Sequence, residues 1–583
     1  MEYQRLVELY ECLSKTTKRL AKTHLLSVFL SETTKEDIPR LVLLLQGKVF
    51  PDWDERETGV ASRLVMKAMS TATGISAEQI EQEWKTIGDL GEVALKVCSG
   101  KRQSTLFSSE LTIKKVFDNL RKLATLEGAG TVNNKMQLIA ELLTSAKPLE
   151  AKYIVRTVLK DLRVGVGEGS LRDAIVWAFF GDKVGLKYLD ENKIDISSRE
   201  EYNKYADAVQ NAFNLTNDFA SVAASAKEGL NSLLEMDIVV FRPLKVMLAL
   251  KVDGVTEGFS RCGNPLDAEY KLDGFRIQAH KKDGKVRLFT RRLEDVTVQF
   301  PEVVKYMLEN VKAETFILDS EAAGYDTKTK KYLPFQKISQ RIKRKYDIEE
   351  LSIKFPVEVN VFDLIYYNGK NMINEEFIHR REIIEKIVSK KPGKIVPAKN
   401  LIASTEEEVE QFYQESLNAG NEGIMLKKLD APYKPGARVG YMVKIKPVME
   451  TLDLVIIGGE WGTGKRATWL SSFILGCVDD DGNFLEIGRM GTGIKEKPEE
   501  GTSFEQLTSE LKPLIISEKG REVRVKPKIV VEVNYEEIQK SPTYSSGYAL
   551  RFPRLVNLRM DRDPSEASNI SVVEDLYKGQ RKR

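Results

Sequence analysis

A break in the hydrophobic period near Phe241-Arg242-Pro243 constrains this chain more than any other feature. Before it, apolar residues recur at three-and-four spacing. Tyr3, Leu6, Val7, Tyr10 and Leu13 open the pattern, and IAELLTSAKPLEAKYIVRTVLKDL and SLRDAIVWAFF repeat it. That spacing predicts helices with one buried face. Pro148 suits a helix start and Ser170 an N-cap. Beyond the break, short β-rich runs with turn signals take over. FRIQAHKKDGKVRLFTRR predicts a hairpin turning at Asp283-Gly284. TFILDSEAAGYD, PVEVNVFDLIYYNG and EGIMLKKL predict further strands, with helices in EEFIHRREIIEKIVSK and STEEEVEQFYQESLNA. After Pro447 the runs are almost all β, which predicts a small antiparallel barrel, and VVEDLYKGQRKR predicts a short terminal helix with a basic end. The expected regions are helical over 1–236, α+β over 237–449, and barrel with terminal helix over 450–583.

Bulk properties exclude several classes. No apolar run reaches the ~18 residues that span a bilayer. Charges are threaded through MEYQRLVELYECLSKTTKRL, so a secretory signal is not expected there. A net charge of +3, from 89 basic and 86 acidic residues, neither demands nor excludes nucleic acid. The four cysteines, Cys12, Cys98, Cys262 and Cys477, are far apart, and the three histidines show no metal-ligand spacing. That pattern argues against a zinc ribbon or a disulfide framework and suits a reducing cytosol. Chemistry is left to lysine, arginine and carboxylates.

The central motif is Glu269-Tyr270-Lys271-Leu272-Asp273-Gly274-Phe275-Arg276. A lysine nucleophile must be neutral, yet only about one free lysine in two thousand is neutral at pH 7. Neighbouring cations, a metal ion and burial all favour the neutral form. Gly274 would allow a tight turn and close approach of a nucleotide. Arg276 would face phosphate or ribose oxygens. Taken alone, the motif fits a surface hairpin equally well.

FTRRLEDVT, FILDSEAAGYD, VFDLIYYNG, EGIMLK, Lys444-Ile445-Lys446 and RFPRLVNLRMD follow it in order, the set spanning Glu269 to Asp561, and with them the chain resembles the ATP-dependent DNA ligases of the archaeal and eukaryotic replicative type. The resemblance implies a multidomain fold: an all-α N-terminal DNA-binding domain, an α+β nucleotidyltransferase (ATP-grasp-like) domain and a C-terminal β-barrel of the OB-fold type. It implies that Lys271 carries AMP. In FTRRLEDVT, Arg291 matches an arginine on the AMP ribose. In FILDSEAAGYD, Glu321 matches a ribose or metal carboxylate. In VFDLIYYNG, Phe362 matches the aromatic that stacks on adenine. EGIMLK supplies Glu422 for metal and Lys427 for phosphate. Arg438, Lys444 and Lys446 match phosphate contacts, and Glu269 belongs to the same nucleotide site. RFPRLVNLRMD supplies Arg551, Arg554 and Asp561 in the barrel. Singly, Glu321 and Glu422 read as solvated strand ends and Phe362 as core; the order and spacing carry the reading.

Three other segments have nucleic-acid or partner readings. Arg163, Gly165, Gly167 and Ser170 form a glycine-rich entry to a helix, suited to phosphate, and resemble a loop that grips the minor groove beside a nick. Gly459 to Arg466 nearly fits a phosphate-binding loop, but Arg466 replaces the hydroxyl such a loop needs. It is read as a glycine-rich turn whose Lys465 and Arg466 could touch DNA phosphate. Gln103, Leu106 and Phe107 resemble a shortened binding motif for a sliding clamp of the PCNA type, or else form an ordinary exposed loop.

The implied reaction attaches AMP from ATP to Lys271, moves it to the 5′-phosphate at a nick in double-stranded DNA, and seals the nick by 3′-hydroxyl attack. Mg2+, with Mn2+ as the alternative, would serve it. The implied enzyme is a monomer without membrane contact, cytoplasmic and nucleoid-associated, acting in replication, recombination and repair. An mRNA capping enzyme or RNA ligase shares the lysine motif but has no evident use for so large a helical region. A silent scaffold would not need Lys271, Glu321, Glu422 and Lys444 together. The NAD-dependent ligases carry a four-cysteine zinc site that this chain lacks.

Overall fold

The first helix, Tyr3–Lys15, buries the side chains that its spacing predicts: Tyr3, Leu6, Val7, Tyr10 and Leu13 are all fully buried. The computed structural model describes residues 1–583 except 55, 101–109, 127, 129, 334, 343–345, 448–449, 464–465, 467 and 581–583. The clamp-motif residues Gln103, Leu106 and Phe107, and Lys465, therefore lie outside the described residues. The chain divides into two compact units. The first comprises residues 1–250, 273–399 and 427–443; the second comprises 251–272, 400–426 and 444–583.

In the first unit, helices up to Leu230–Leu234 share one core. Helix Pro148–Val158 begins at Pro148, where a missing N–H costs nothing. Its buried Arg156 pairs with Asp89 at 2.6 Å, and its Lys152 with Glu11 at 2.7 Å. Two expectations change here. Helix Glu168–Phe180 is entered from Gly167 in extended conformation, so Ser170 sits inside the first turn and is not the cap. The region also contains an antiparallel hairpin, Lys187–Asp190 with Lys193–Asp195. Its strands are too short and too charged to show a period, but Tyr188 stacks on His24 at 4.0 Å.

The same unit holds a sheet whose main strands run in the order Lys370–Asn371, Val357–Tyr367, Phe316–Asp326, Gly274–Lys282, Lys285–Thr290. The last two are joined at Asp283-Gly284 with φ of 50° and 70°, as a tight hairpin turn with both central residues left-handed requires. Phe275, Ile277, Leu318, Ala322, Val359 and Val361 face the sheet's core. Alternation sends Arg276, Asp319, Glu321, Asn360 and Phe362 to the other face. The chain just past the periodicity break meets that face: Phe241 N–H donates to His280 Nδ1 and Leu244 N–H to Gln278 Oε1. Burial, with Arg287 nearby, lowers the His280 pKa to about 3, so the ring stays neutral and can accept.

In the second unit, strand Leu266–Lys271 pairs antiparallel with Asn400–Ala403. Helix Glu406–Asn418 follows, capped by Thr405 and Glu408 in a reciprocal box. The barrel is built on Leu452–Trp461, which pairs with Leu470–Val478, Glu522–Val525 and Val530–Asn534. Helix Phe504–Leu511, capped by Ser503, adds Phe504, Leu507 and Leu511 to the barrel core and breaks the all-β expectation. The terminal helix is Ile570–Gly579. Among the described residues, no helix is long and apolar enough to cross a membrane.

Candidate active site

Lys271 is the last residue of strand Leu266–Lys271, whose first four residues are buried. The Glu422 N–H donates to the Lys271 carbonyl at 2.9 Å, which sets the two side chains side by side. Lys271 Nζ lies 2.7 Å from Glu422 Oε2, and Lys446 Nζ lies 2.8 Å from the same oxygen. Arg551 reaches Glu422 at 3.9 Å and Glu537 at 3.3 Å, while Lys446 also meets Glu536 at 3.2 Å. Burial would raise the Glu422 carboxyl, but the Lys271 and Lys446 ammoniums outweigh it and lower its pKa to about 2. Lys444 is lowered by burial and then by the charges of Lys446 and Lys271. Lys446 is raised: its burial is outweighed by Glu422 and Glu536. Several cations thus crowd one carboxylate, an arrangement suited to a polyanion.

This cluster makes stability depend on pH. A carboxyl held below its unfolded value contributes stability above that value and loses it as pH falls through the folded one. Glu422→Gln is therefore expected to destabilise the protein by on the order of 3 kcal/mol at pH 7. The gap to the unsubstituted chain should close between about pH 4.5 and pH 2, where Glu422 itself becomes protonated. Denaturant midpoints at pH 7 and pH 3 check it; equal gaps at both would contradict the ion cluster.

On the polar face of the first unit's sheet, Arg276 is engaged by protein. Its Nε donates to Asp319 Oδ1 at 2.8 Å and its Nη2 to Asp319 Oδ2 at 2.5 Å. Nη1 donates to the Met247 carbonyl at 2.7 Å, and the Tyr433 hydroxyl donates to Asp319 Oδ2 at 2.8 Å. Asp319 and Tyr433 were not singled out by any motif. The Phe362 ring has Arg276 Cζ at 5.2 Å and Lys427 Nζ at 5.0 Å from its centre. Lys427 also donates to the Phe362 carbonyl at 3.2 Å. Gly274 is explained by packing: a Cβ there would stand 2.5 Å from the Ala322 carbonyl oxygen of the adjacent strand. The close approach expected of a nucleotide is, in the fold, that of a neighbouring backbone. Asp273 accepts the Phe335 N–H at 3.1 Å and so tethers the start of helix Phe335–Ile342.

The remaining motif residues are spread out. Glu269 is buried in its strand, opposite Asn400. Arg291, in a turn, and Arg438, at a strand start, are exposed. Arg554 opens strand Arg554–Arg559 and is exposed, and Asp561 pairs with Arg559 at 2.8 Å. Arg163 is half-exposed and pairs with Asp161 at 2.6 Å and Asp89 at 3.1 Å. Beneath its loop, the buried Lys22 ammonium donates to the carbonyls of Val164 and Gly165 at 2.5 and 3.1 Å. Gly165, at φ 63°, leaves it room, since a Cβ would stand 2.5 Å from Lys22 Nζ. Gly167 is open, with nothing within 4 Å of a built Cβ. Arg466 pairs with Glu496 at 2.6 Å and lies over Phe504.

Among the described residues, no group of three or more histidine, cysteine or carboxylate side chains could cage a metal.

The family described as "DNA ligase N terminus" matches residues 2–176, "ATP dependent DNA ligase domain" residues 246–446, and "ATP dependent DNA ligase C terminal region" residues 466–562. The DNA ligase of Nanoarchaeum equitans is 46% identical, covering 100% of this chain and 99% of that one. The DNA ligase of Thermococcus fumicolans is 41% identical, covering 99% and 98%. The solved structure named "Pmar-Lig_PreS3" aligns with a TM-score of 0.52 at 17% identity, covering 95% of this chain and 99% of that one, which speaks for the fold. With full-length identity at this level and the three domain matches in order, the chain belongs to the ATP-dependent DNA ligases of archaeal type.

Proposed function

We propose that Lys271 is the residue this ligase adenylates, and that AMP passes from it to the 5′-phosphate of nicked duplex DNA before the nick is sealed. Lys271 itself supports the reading: it shares one carboxylate with Lys446, beside Lys444. In the first step Lys271 gives a proton to solvent, and the neutral amine forms a bond to the α-phosphorus of ATP, releasing a second proton to solvent as the phosphoramidate forms. The bond from that phosphorus to the bridging oxygen breaks, and its electron pair leaves with pyrophosphate. A carboxyl held at about 2 is a poor base, so Glu422 orients the Lys271 ammonium and does not store its proton. Lys444 and Lys446 offset charge on the phosphates, where positioning and electrostatics dominate the rate. Next, a 5′-phosphate oxygen attacks the adenylate phosphorus and the lysine amine leaves, taking a proton. Finally the 3′-hydroxyl oxygen bonds the 5′-phosphorus and gives its proton to solvent, while the bond from that phosphorus to the bridging oxygen breaks and its electron pair leaves with AMP.

Phe362 is assigned to the adenine, Arg291 and Glu321 to the ribose, and Glu269, Arg276, Lys427 and Arg438 to the nucleotide more generally. The resemblance assigns Glu321 and, in the other unit, Glu422 as carboxylates for a divalent ion, proposed to be Mg2+, which would supply charge neutralisation at the phosphates. Arg551, Arg554 and Asp561 serve the barrel's part in the cycle. The loop of Arg163, Gly165, Gly167 and Ser170, with Lys465 and Arg466, is assigned to DNA phosphate; Lys22 would shape that loop from below. The domain limits at 236 and 449, action as a monomer, a clamp contact through Gln103, Leu106 and Phe107, a cytoplasmic, nucleoid-associated location, and roles in replication, recombination and repair belong to the same proposal.

Incubation with α-labelled ATP and Mg2+ should give an acid-labile protein–AMP adduct, and the adenylated protein should seal a nicked duplex. Absence of the adduct, or label transfer to capped RNA ends in place of a DNA nick, would refute this reading.

A further inference from the structure

The strand Val357–Tyr367 gives Val357, Val359 and Val361 to the sheet's core and so presents Glu358, Asn360 and Phe362 on the polar face. Asn360 lies opposite Glu321 in the next strand, and Glu321 lies opposite Arg276 in the one beyond. Asn360 is 3% exposed. One end of its amide is engaged: Oδ1 lies 3.2 Å from the Tyr332 hydroxyl. The other end, Nδ2, has no hydrogen-bond partner among the described residues. Buried polar side chains are overwhelmingly satisfied, so such an atom calls for an explanation.

Its surroundings sharpen the point. Glu358 takes the Tyr332 hydroxyl and the Gly393 N–H, both at 2.5 Å. Asp319 takes Arg276 and Tyr433. Among the described residues named on this face, Asn360 alone carries a buried atom without a partner. Residues two apart on a strand are separated by about 6.8 Å, and directly opposed residues by about 5 Å. With adenine stacked on Phe362, as proposed above, the attached ribose falls over the row of Asn360 and Glu321.

Resting on that reading, we infer that Asn360 is a specificity residue for the nucleotide, the unengaged end of its amide hydrogen-bonding a ribose hydroxyl. A hydroxyl both donates and accepts, so it can accept from Asn360 Nδ2 while donating its one proton to the Glu321 carboxylate. A sugar lacking that hydroxyl would leave the buried Asn360 amide end unpaired, which is how a site rejects a deoxy analogue. Tyr332, fixed by Glu358, positions the amide.

The test compares initial rates of protein–AMP formation from ATP, 2′-deoxyATP and 3′-deoxyATP in the unsubstituted chain, Asn360→Ala and Asn360→Leu. The unsubstituted chain should discriminate against one deoxy analogue. Both variants should lose about tenfold in kcat/KM for ATP and little for that analogue, so the discrimination collapses. Each ratio is internal to one preparation, so a partly unfolded variant does not distort it. If ATP and both analogues lose equally, or the ratios stay as they were, Asn360 does not read the sugar and the inference fails alone. If the unsubstituted chain forms no adduct on Lys271, the underlying reading fails and takes the inference with it.

Discussion

Lys271→Ala is expected to form no detectable AMP adduct, while still sealing a nick whose 5′-end already carries AMP. Removing the nucleophile of a covalent mechanism costs up to about a millionfold in turnover. The loss is confined to the steps that use the amine. Sealing of a pre-adenylated nick needs the 3′-hydroxyl, the leaving AMP and the cations that offset phosphate charge, none of which is the Lys271 side chain. Lys271→Arg should fail in the same way, because a guanidinium stays protonated and offers no lone pair. Gel detection of labelled protein, run beside sealing of a pre-adenylated substrate, separates the two activities. An adduct that survives both substitutions would place the nucleophile elsewhere. Loss of both activities together would mean that the substitution disrupts the site as a whole.

Asp319→Ala should have the largest effect on stability. Asp319 is fully buried and binds Arg276 through both carboxylate oxygens, with the Tyr433 hydroxyl on one of them. Burial opposes the charge on Arg276, and Asp319 outweighs it. Removing the carboxylate strands a guanidinium whose side chain is 16% exposed, and such a loss costs about 3–5 kcal/mol. Asp319→Asn keeps the shape and part of the hydrogen bonding, so it should fall between. The effect should reach the chemistry as well, because Arg276 also lies over the Phe362 ring and binds the Met247 carbonyl. Denaturant midpoints and adenylation rates for both variants check this. A change under about 1 kcal/mol for Asp319→Ala, the ordinary range of a surface substitution, would show that the pair is not buried as described.

The contrast between Lys271 and Arg276 shows where reading the chain stops. Lys271 is legible because motif order and spacing point to it. The role of Arg276 is not, because Asp319 lies 43 residues away, within FILDSEAAGYD but not singled out there, and Tyr433 lies 157 residues away outside any motif. Gly274 was legible as a position needing no side chain, but the reason for it, the Ala322 carbonyl, emerges only when strands pair. Lys22 looks like any helical lysine until the chain brings it beneath Gly165, 143 residues on. Ser170 misled because a hydroxyl before an apolar run favours a cap, whereas the chain had already turned helical after Gly167.

The sequence by itself determined the periods, the Asp283-Gly284 turn, the helix start at Pro148, the order of the motifs and, through them, the family. These depend on backbone preferences and on neighbours a few residues apart, which the chain carries wherever it folds. The tertiary structure alone decided which polar groups meet: Glu422 with Lys271 and Lys446, Asp319 with Arg276, and the Asn360 amide with one end unengaged among the described residues. The physical reason is that ion pairing and hydrogen bonding are decided over a few ångströms in a low-dielectric interior, and distance along the chain says nothing about that separation.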